Sequence, residues 1–386
     1  MPTLRPAALA PLALALALGA CNASGDAAPA ENSTAGSAGA SGRPFVVEEV
    51  ARLNEPWAMT FLPNSTVALV TEKSGTIRIV DTGSGRIGAV SGVPSVDYGG
   101  QGGLGDIVLH PKDKSLVYLS FAEGGPNGTR GAAVGRGRLV CQQSASCQIS
   151  GFEVIWRQSP KMSGRGHYGH RIAFSPDGHL FISSGDRQEF TPAQDMNANL
   201  GKILRLKDDG SIPADNPFAS RGGVAAQIWS LGHRNPLGIA FAADGRLWEN
   251  EMGPQGGDEF NLIERGSNYG YPIVSNGDHY GGKDIPDHST RPEFNAPEIT
   301  WTPVISPSSM IFYTGSAYPG WRGSALIGGL SSKALIRVTI SGNTAREAQR
   351  WAMGERIREV EQGPDGIVYV LEDGKNARLL RLRPAR

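Results

Sequence analysis

The chain has 386 residues, a length that allows two or three domains. Its 37 Lys+Arg balance 37 Asp+Glu. No global field therefore favours nucleic acid, an anionic membrane or an acidic partner, which leaves a neutral substrate or a charge pattern that the average hides. With 52 Gly, about twice the usual share of ~7%, and 26 Pro, the composition implies many turns and little long helix.

The first segment, MPTLRPAALAPLALALALGAC, carries one Arg, then an apolar run, then Leu18-Gly19-Ala20-Cys21. The run is too short for a convincing membrane span and reads as a secretory signal over residues 1–21. Leu-Gly-Ala-Cys matches a bacterial lipobox, in which Cys21 is lipidated; plain cleavage beside an incidental Cys is the alternative. Residues 22–43, rich in Ala, Ser and Gly, suit a flexible tether. The expected localisation is export, with a lipid anchor in the periplasm or at the cell envelope. Export leaves Cys141 and Cys147 in an oxidising compartment, where a local disulfide is the stronger reading and metal binding the weaker.

From Phe45 one pattern recurs: an apolar strand, a turn, a second apolar strand. Its copies are MTFLPNSTVALV from Met59, IVLHPKDKSLVYLS from Ile107, IAFSPDGHLFISSGD from Ile172, IAFAADGRLWENEMG from Ile239, MIFYTGSAYPGWRGSALIGG from Met310 and VEQGPDGIVYVLED from Val360. Pro-Asp-Gly and Ala-Asp-Gly are turn signals between such runs. A third strand often follows, as in GTIRIVD and ARLLRLR. The starts lie 48, 65, 67, 71 and 50 residues apart. Six such meanders predict an all-β fold, a six-bladed β-propeller over residues 44–386, with insertions at Gly185–Arg205 and Gly253–Thr300.

In a hairpin, the start of the first strand and the end of the second lie at one end of the sheet. The segments before each copy (GGQGG, GHYGHR, GHRNPLG, GERIRE) and after second strands (GDRQ, EMGPQGGDE, LSSKALIR) therefore gather on one face. That face collects Arg234, Lys333, Arg356 and Arg358. Singly each reads as a solvated surface charge; together they point to an anionic ligand, for which Arg suits bidentate carboxylate recognition. His167 is a candidate general base, set against a structural role. With His170 it forms a His-x-x-His pair, but the other histidines offer no obvious third ligand for zinc. EMGPQGGDE offers backbone carbonyls, Asp258 and Glu259 to a hard cation such as calcium, or is an ordinary acidic turn. Gly100-Gln-Gly-Gly-Leu-Gly105 matches G-x-G-x-x-G only formally, because a strand rather than a helix follows it. G-x-S-x-G is absent, which weakens a serine hydrolase reading.

HYGHRIAF, LGKILRLKDDGSIPADNPF, GHRNPLGIAF, GPQGGDE, SNYGYP and ERIREV, in this order and spacing, resemble the soluble aldose sugar dehydrogenases that use pyrroloquinoline quinone (PQQ), the glucose/sorbosone dehydrogenase-like family. The resemblance runs from about Phe45 onward. It implies oxidation of aldose sugars at C1 to lactones with PQQ and Ca2+, and an external electron acceptor (quinone, cytochrome or dye). His167 resembles the base that takes the C1 hydroxyl proton, and Asp186 its orienting carboxylate. Arg234 and Asn235 resemble residues on the quinone oxygens. Gln101, Tyr280, Lys333, Arg356 and Arg358 resemble further cofactor contacts. The carbonyls of Gly253 and Pro254 resemble ligands of the cofactor-bridging calcium; Glu259 and Tyr269 resemble ligands of another.

Three positions depart from the family. Met252 stands where His or Gln is common, leaving a weak thioether acceptor. His170 stands where a small residue is usual. WTPVISPSS is spaced differently from its counterpart in glucose-specific members. These touch substrate choice more than cofactor binding. The rival expectations are a non-catalytic propeller that binds a ligand, and a calcium-dependent lactonase-type hydrolase, which needs several channel carboxylates or Asn side chains.

Overall fold

The computed structural model describes residues 42–143 and 146–385. The expected signal segment, Cys21 and all but the last two residues of the expected tether lie outside the described residues. Arg43–Arg386 form one compact unit. Among the described residues there are 24 strands, five short 3-10 turns and no α-helix, so the chain is all-β.

The strands build four four-stranded sheets and one eight-stranded sheet. In three of the four-stranded sheets, residues 169–231, 236–301 and 307–352, spatial order follows chain order. The fourth joins Ile357–Gln362, Val368–Glu372 and Ala377–Pro384 to the distant strand Phe45–Leu53, with Phe45 opposite Pro384. The eight-stranded sheet holds two meanders, residues 56–91 and 104–157. They meet where Ile87–Ser91 runs parallel to Ser146–Arg157. Cys141 and Cys147, paired across the last hairpin, form the expected disulfide.

The first strands of the six meanders are Pro56–Phe61, Leu104–Leu109, Gly169–Phe174, Pro236–Phe241, Pro307–Phe312 and Ile357–Gln362. Each touches the next, and the last touches the first, so they close a ring. Neighbours on both sides explain why PWAMTF, PLGIAF and PSSMIF are buried through four consecutive residues instead of alternating. At the turns the backbone needs a left-handed residue: Gly178, Gly245 and Gly366 have φ of 97°, 84° and 78°. The preceding Asp holds the turn, as where Asp244 Oδ1 accepts from Arg246 N and Asp365 Oδ1 from Ile367 N.

At the other end, every first strand opens with a register shift: at Pro56/Ala58, Leu104/Ile107, Gly169/Ile172, Pro236/Gly238, Pro307/Met310 and Ile357/Glu359. Such irregularities bend the strand and re-aim its side chains. Here all six lie at the end where sequence analysis gathers the candidate residues.

Candidate functional site

A cavity of about 310 Å³ opens at that end. Its walls come from the starts of first strands (Trp57, His170, Leu237, Arg358) and the ends of second strands (Lys73, Met252, Leu330, Asp373). Of the expected cofactor contacts, Gln101, Asn235, Arg356 and Arg358 line it. His167, Asp186 and Arg234 stand beside it, while their chain neighbours Tyr168 and Asn235 form its wall.

His167 and Asp186 are brought together by one hairpin. Nδ1 of His167 lies 2.7 Å from Asp186 Oδ1, with His167 almost and Asp186 fully buried. Gln101 Oε1 accepts from His167 N at 2.7 Å, which holds a residue whose φ is 46°. Asp186 Oδ1 also accepts from Gln188 N. The carboxylate therefore accepts from Nδ1–H and leaves Nε2 with its lone pair. Burial pushes the His167 pKa below its ordinary 6.5; the bond to Asp186 opposes this without cancelling it. The imidazole is thus neutral near pH 7, as a base must be.

Arg234 behaves differently from a cation waiting for an anion. Its Nη1 donates to the carbonyls of Met252 at 2.9 Å and Gly253 at 2.7 Å, while Tyr271 and Tyr280 flank the guanidinium. Nε remains buried without a partner, as do Asn235 Oδ1, Asp186 Oδ2 and the Tyr271 hydroxyl. Asn235 Nδ2 reaches only the Met252 sulfur, at 4.0 Å. Unpaired buried polar atoms are costly, and this concentration of them beside a cavity suits a polar ligand.

The expected convergence of free cations is modified. Arg356 and Arg358 do point the same way, but both bond Asp373, at 2.9 Å each. Lys333 is half-exposed and pairs with Glu355 at 3.5 Å, outside the cavity wall. Tyr280 is 73% exposed and also outside the wall. Lys73, which donates to Gly100 O, and the carboxylates Glu55 and Asp373 also line the cavity, and no motif in the sequence marks them. The wall therefore carries one net positive charge, from three cations and two carboxylates.

The metal candidates separate into two places. In the turn after Glu251, Asp258 is spent on the backbone: Oδ1 accepts from Gly253 N and Oδ2 from Ile305 and Ser306 N. That leaves carbonyls for a cation, with Gly253 O shared with Arg234 and Pro254 adjacent to it. Glu259 and Tyr269 belong to a buried chamber with Glu249, Glu251, Asn261 and His233. Asn261 Nδ2 bridges Glu249 and Glu259 at 2.9 and 3.1 Å, His233 Nδ1 lies 3.2 Å from Glu251, and the His233 ring stacks on Tyr269. The Tyr269 phenol donates to Leu262 O, and its carbonyl faces His288 Nε2 at 3.0 Å. Burial and mutual repulsion push the Glu249 and Glu259 carboxyls well above the usual range. No Lys or Arg side chain forms an ion pair with Glu249, Glu251 or Glu259 among the described residues. Among the described residues, the one group of three acidic, His or Cys side chains with ligand atoms within 4.8 Å of one another is His233, Glu249 and Glu251; Glu259 is not part of it and joins Glu249 through Asn261. Three buried carboxylates without a cationic partner fit a divalent ion with oxygen ligands. Strand period could have revealed them, since Glu249 and Glu251 share a face and Glu259 pairs with Glu251.

The Glucose / Sorbosone dehydrogenase family model matches residues 53–381. The chain is 40% identical over 342 residues to the aldose sugar dehydrogenase YliI of Escherichia coli, covering 86% of this chain and 91% of that one. It is 28% identical to quinoprotein glucose dehydrogenase B of Acinetobacter calcoaceticus over 407 residues, with 84% of each covered. Among solved structures, the apo-form soluble aldose sugar dehydrogenase of E. coli superposes with a TM-score of 0.82 at 39% identity, covering 88% of this chain and all of that one. The PQQ-bound aldose sugar dehydrogenase of Streptomyces coelicolor gives 0.73 at 29%, covering 88% and 98%. Together with the sheet architecture and the His–Asp pair at the cavity, these matches show that the chain belongs to the glucose/sorbosone dehydrogenase family.

Proposed function

We propose that the protein is a PQQ- and calcium-dependent aldose dehydrogenase, built as a six-bladed β-propeller whose eight-stranded sheet is two blades joined at their outer edges. The observation that carries this is the neutral, Asp-oriented His167 beside a polar cavity in a sugar-dehydrogenase family member. The PQQ-bound state of the S. coelicolor relative supports the choice of cofactor.

Bound in the cavity, PQQ supplies a two-electron hydride acceptor and calcium a Lewis acid for it. The chain's residues do the rest. His167 Nε2 takes the C1 hydroxyl proton as the C1 hydride leaves, and Asp186 holds the imidazole in the tautomer that can do so. Arg234 Nη2, whose one side-chain partner is the Tyr280 hydroxyl at 3.5 Å, and Asn235 Nδ2 are the donors for the quinone oxygens. Arg356, Arg358 and Lys73, which line the cavity with Gln101, would hold the cofactor carboxylates. Tyr280 would act through Arg234, whose guanidinium it flanks, and Lys333 would need to leave Glu355 to reach the cofactor. The Gly253 and Pro254 carbonyls would hold the cofactor's calcium, and Glu259 with the Tyr269 carbonyl another. The aldose becomes its lactone, and an external quinone, cytochrome or dye takes the electrons. We also place the mature protein at the cell envelope, exported and anchored through lipidated Cys21; the apolar leader and lipobox support this.

The test adds PQQ and calcium to apoprotein and follows dye reduction with a panel of aldoses. Aldose-dependent reduction that requires both additions is expected. No reduction with any aldose, or reduction indifferent to PQQ, refutes the reading.

A further inference from the structure

His170 is three residues from the base and has no part in the chemistry above. Its placement is expensive. The backbone is left-handed there, with φ of 56°, a conformation glycine adopts freely and other residues rarely do. The ring also claims space from the neighbouring strand: a Cβ at position 105 would lie 2.0 Å from His170 Cε1, so only Gly105 leaves room for it. The imidazole stacks on Trp57, with centroids 4.8 Å apart, and the Arg171 guanidinium lies 4.0 Å from the Trp57 ring. Trp57 and His170 together form part of the cavity wall.

The hydrogen bonds fix the tautomer. Ser120 Oγ accepts from Asp106 N at 2.7 Å and lies 2.8 Å from His170 Nδ1. Ser120 has one hydroxyl proton, and His170 Nδ1 is the side-chain acceptor in reach of it. If Nδ1 carried a proton instead, the buried hydroxyl would be left with no acceptor, which is costly. So Ser120 donates to Nδ1, and the ring proton sits on Nε2. Among the described residues no protein group bonds Nε2, and it is not among the sealed, unpaired buried atoms, so it reaches the cavity. This is the reverse of His167, where Nδ1 carries the proton and Nε2 the lone pair.

We propose that His170 is a cofactor-binding residue, a fixed neutral hydrogen-bond donor whose Nε2–H holds an anionic oxygen of the planar carboxylated quinone in this cavity. Burial and the surrounding arginines push its pKa down to about 3, so the ring stays neutral and the donor stays on Nε2 across the working pH range. Arg171, Arg187 and Arg358 are the charged groups acting on it; Arg171 is itself paired with Asp106 and Glu359, and Arg358 with Asp373. Two adjacent histidines thereby divide the labour: one offers a lone pair to the sugar, the other a proton to the cofactor.

The inference rests on the proposed cofactor, and the experiment separates the two. Calorimetry measures PQQ binding to calcium-loaded apoprotein for the wild type and three variants. His170→Phe keeps a ring on Trp57 but removes the donor. His170→Gln keeps an N–H donor at similar reach. Ser120→Ala leaves the ring in place but frees Nδ1 to take the proton. A hydrogen bond to a charged group corresponds to about tenfold to hundredfold in affinity. His170→Phe should lose that much, His170→Gln should stay within about threefold of wild type, a margin well inside that range, and Ser120→Ala should fall between. Nitrogen-detected NMR of the apoprotein should show the Nε2–H tautomer at His170. Wild-type binding with an unchanged His170→Phe variant, or an Nδ1–H tautomer, overturns this inference and leaves the cofactor assignment standing. Failure of the wild type to bind PQQ overturns both.

Discussion

Asp186→Asn tests the base directly, because the structure fixes both the sign and the size of its effect. Asp186 bonds His167 Nδ1 at 2.7 Å and is the one influence that raises the His167 pKa against burial. An Asn can still accept from Nδ1–H, but the charge is gone. A hydrogen bond to a charged group stabilises by about 1.5–3 kcal/mol and a neutral one by about 0.5–1.5, so the loss is roughly 1–1.5 kcal/mol. At about 1.36 kcal/mol per unit, that is close to one pKa unit. His167 already titrates below 6.5, and the base form is the one above its pKa. The acid limb of the kcat/KM profile should therefore move about one unit further toward low pH. The plateau of kcat should fall at the same time, because the base is weaker and less well held, by an amount bounded by the general-base contribution of about 10²–10⁴. The assay is steady-state dye reduction by reconstituted holoenzyme between pH 4 and 9, with cofactor content measured in parallel. A limb that stays put or moves toward high pH refutes the assignment of His167 and Asp186, as does a plateau equal to the wild type's.

Three further outcomes are expected. Arg358→Ala should weaken PQQ binding by about one to two orders of magnitude in calorimetry, whereas Asp373→Asn, which releases both arginines from their shared carboxylate, should tighten it. Calcium should raise the Tm of the apoprotein; at a hundredfold excess over Kd the gain is about 2.7 kcal/mol, and Glu259→Gln should abolish most of it in a calorimetric scan. Cys21→Ser should move the protein from membrane to soluble fractions, and an unlipidated wild type in mass spectrometry would end the anchor reading.

The architecture was legible where local chemistry dictates it. Asp-Gly turns between apolar runs announce hairpins, and hairpin geometry alone says which segments share a face; Gln101, His167, Asn235 and Arg358 were placed this way. What the sequence hid is what tertiary partners decide. The fourth strand of each group is short or half-exposed, as in Ile87–Ser91 and Ile299–Trp301, and carries little period. The pairing of Phe45–Leu53 with Ala377–Pro384 joins segments that share no local signal. Counting basic residues on one face predicted free cations, yet Asp373 sits at the end of a second strand and claims two of them. The sequence around Arg234 suggests an anionic partner, while its Nη1 is engaged by the Met252 and Gly253 carbonyls. The histidine at position 170 was noticed as unusual, but its proton could be placed only once Ser120, fifty residues away, was seen beside it.

The seam between Phe45–Leu53 and Ala377–Pro384 sets a clock for biogenesis. Phe45–Leu53, the first strand of the domain to be made and the outermost of its sheet, finds its partner only once Ala377–Pro384 has been synthesised. Until then that strand waits unpaired, and the ring of first strands keeps a gap until Ile357–Gln362 has been made. Contacts of such long sequence separation are also slow to form, since loop closure must precede the gain from pairing. The domain therefore cannot close its seam until nearly all of it has been made, although its local meanders can pair earlier.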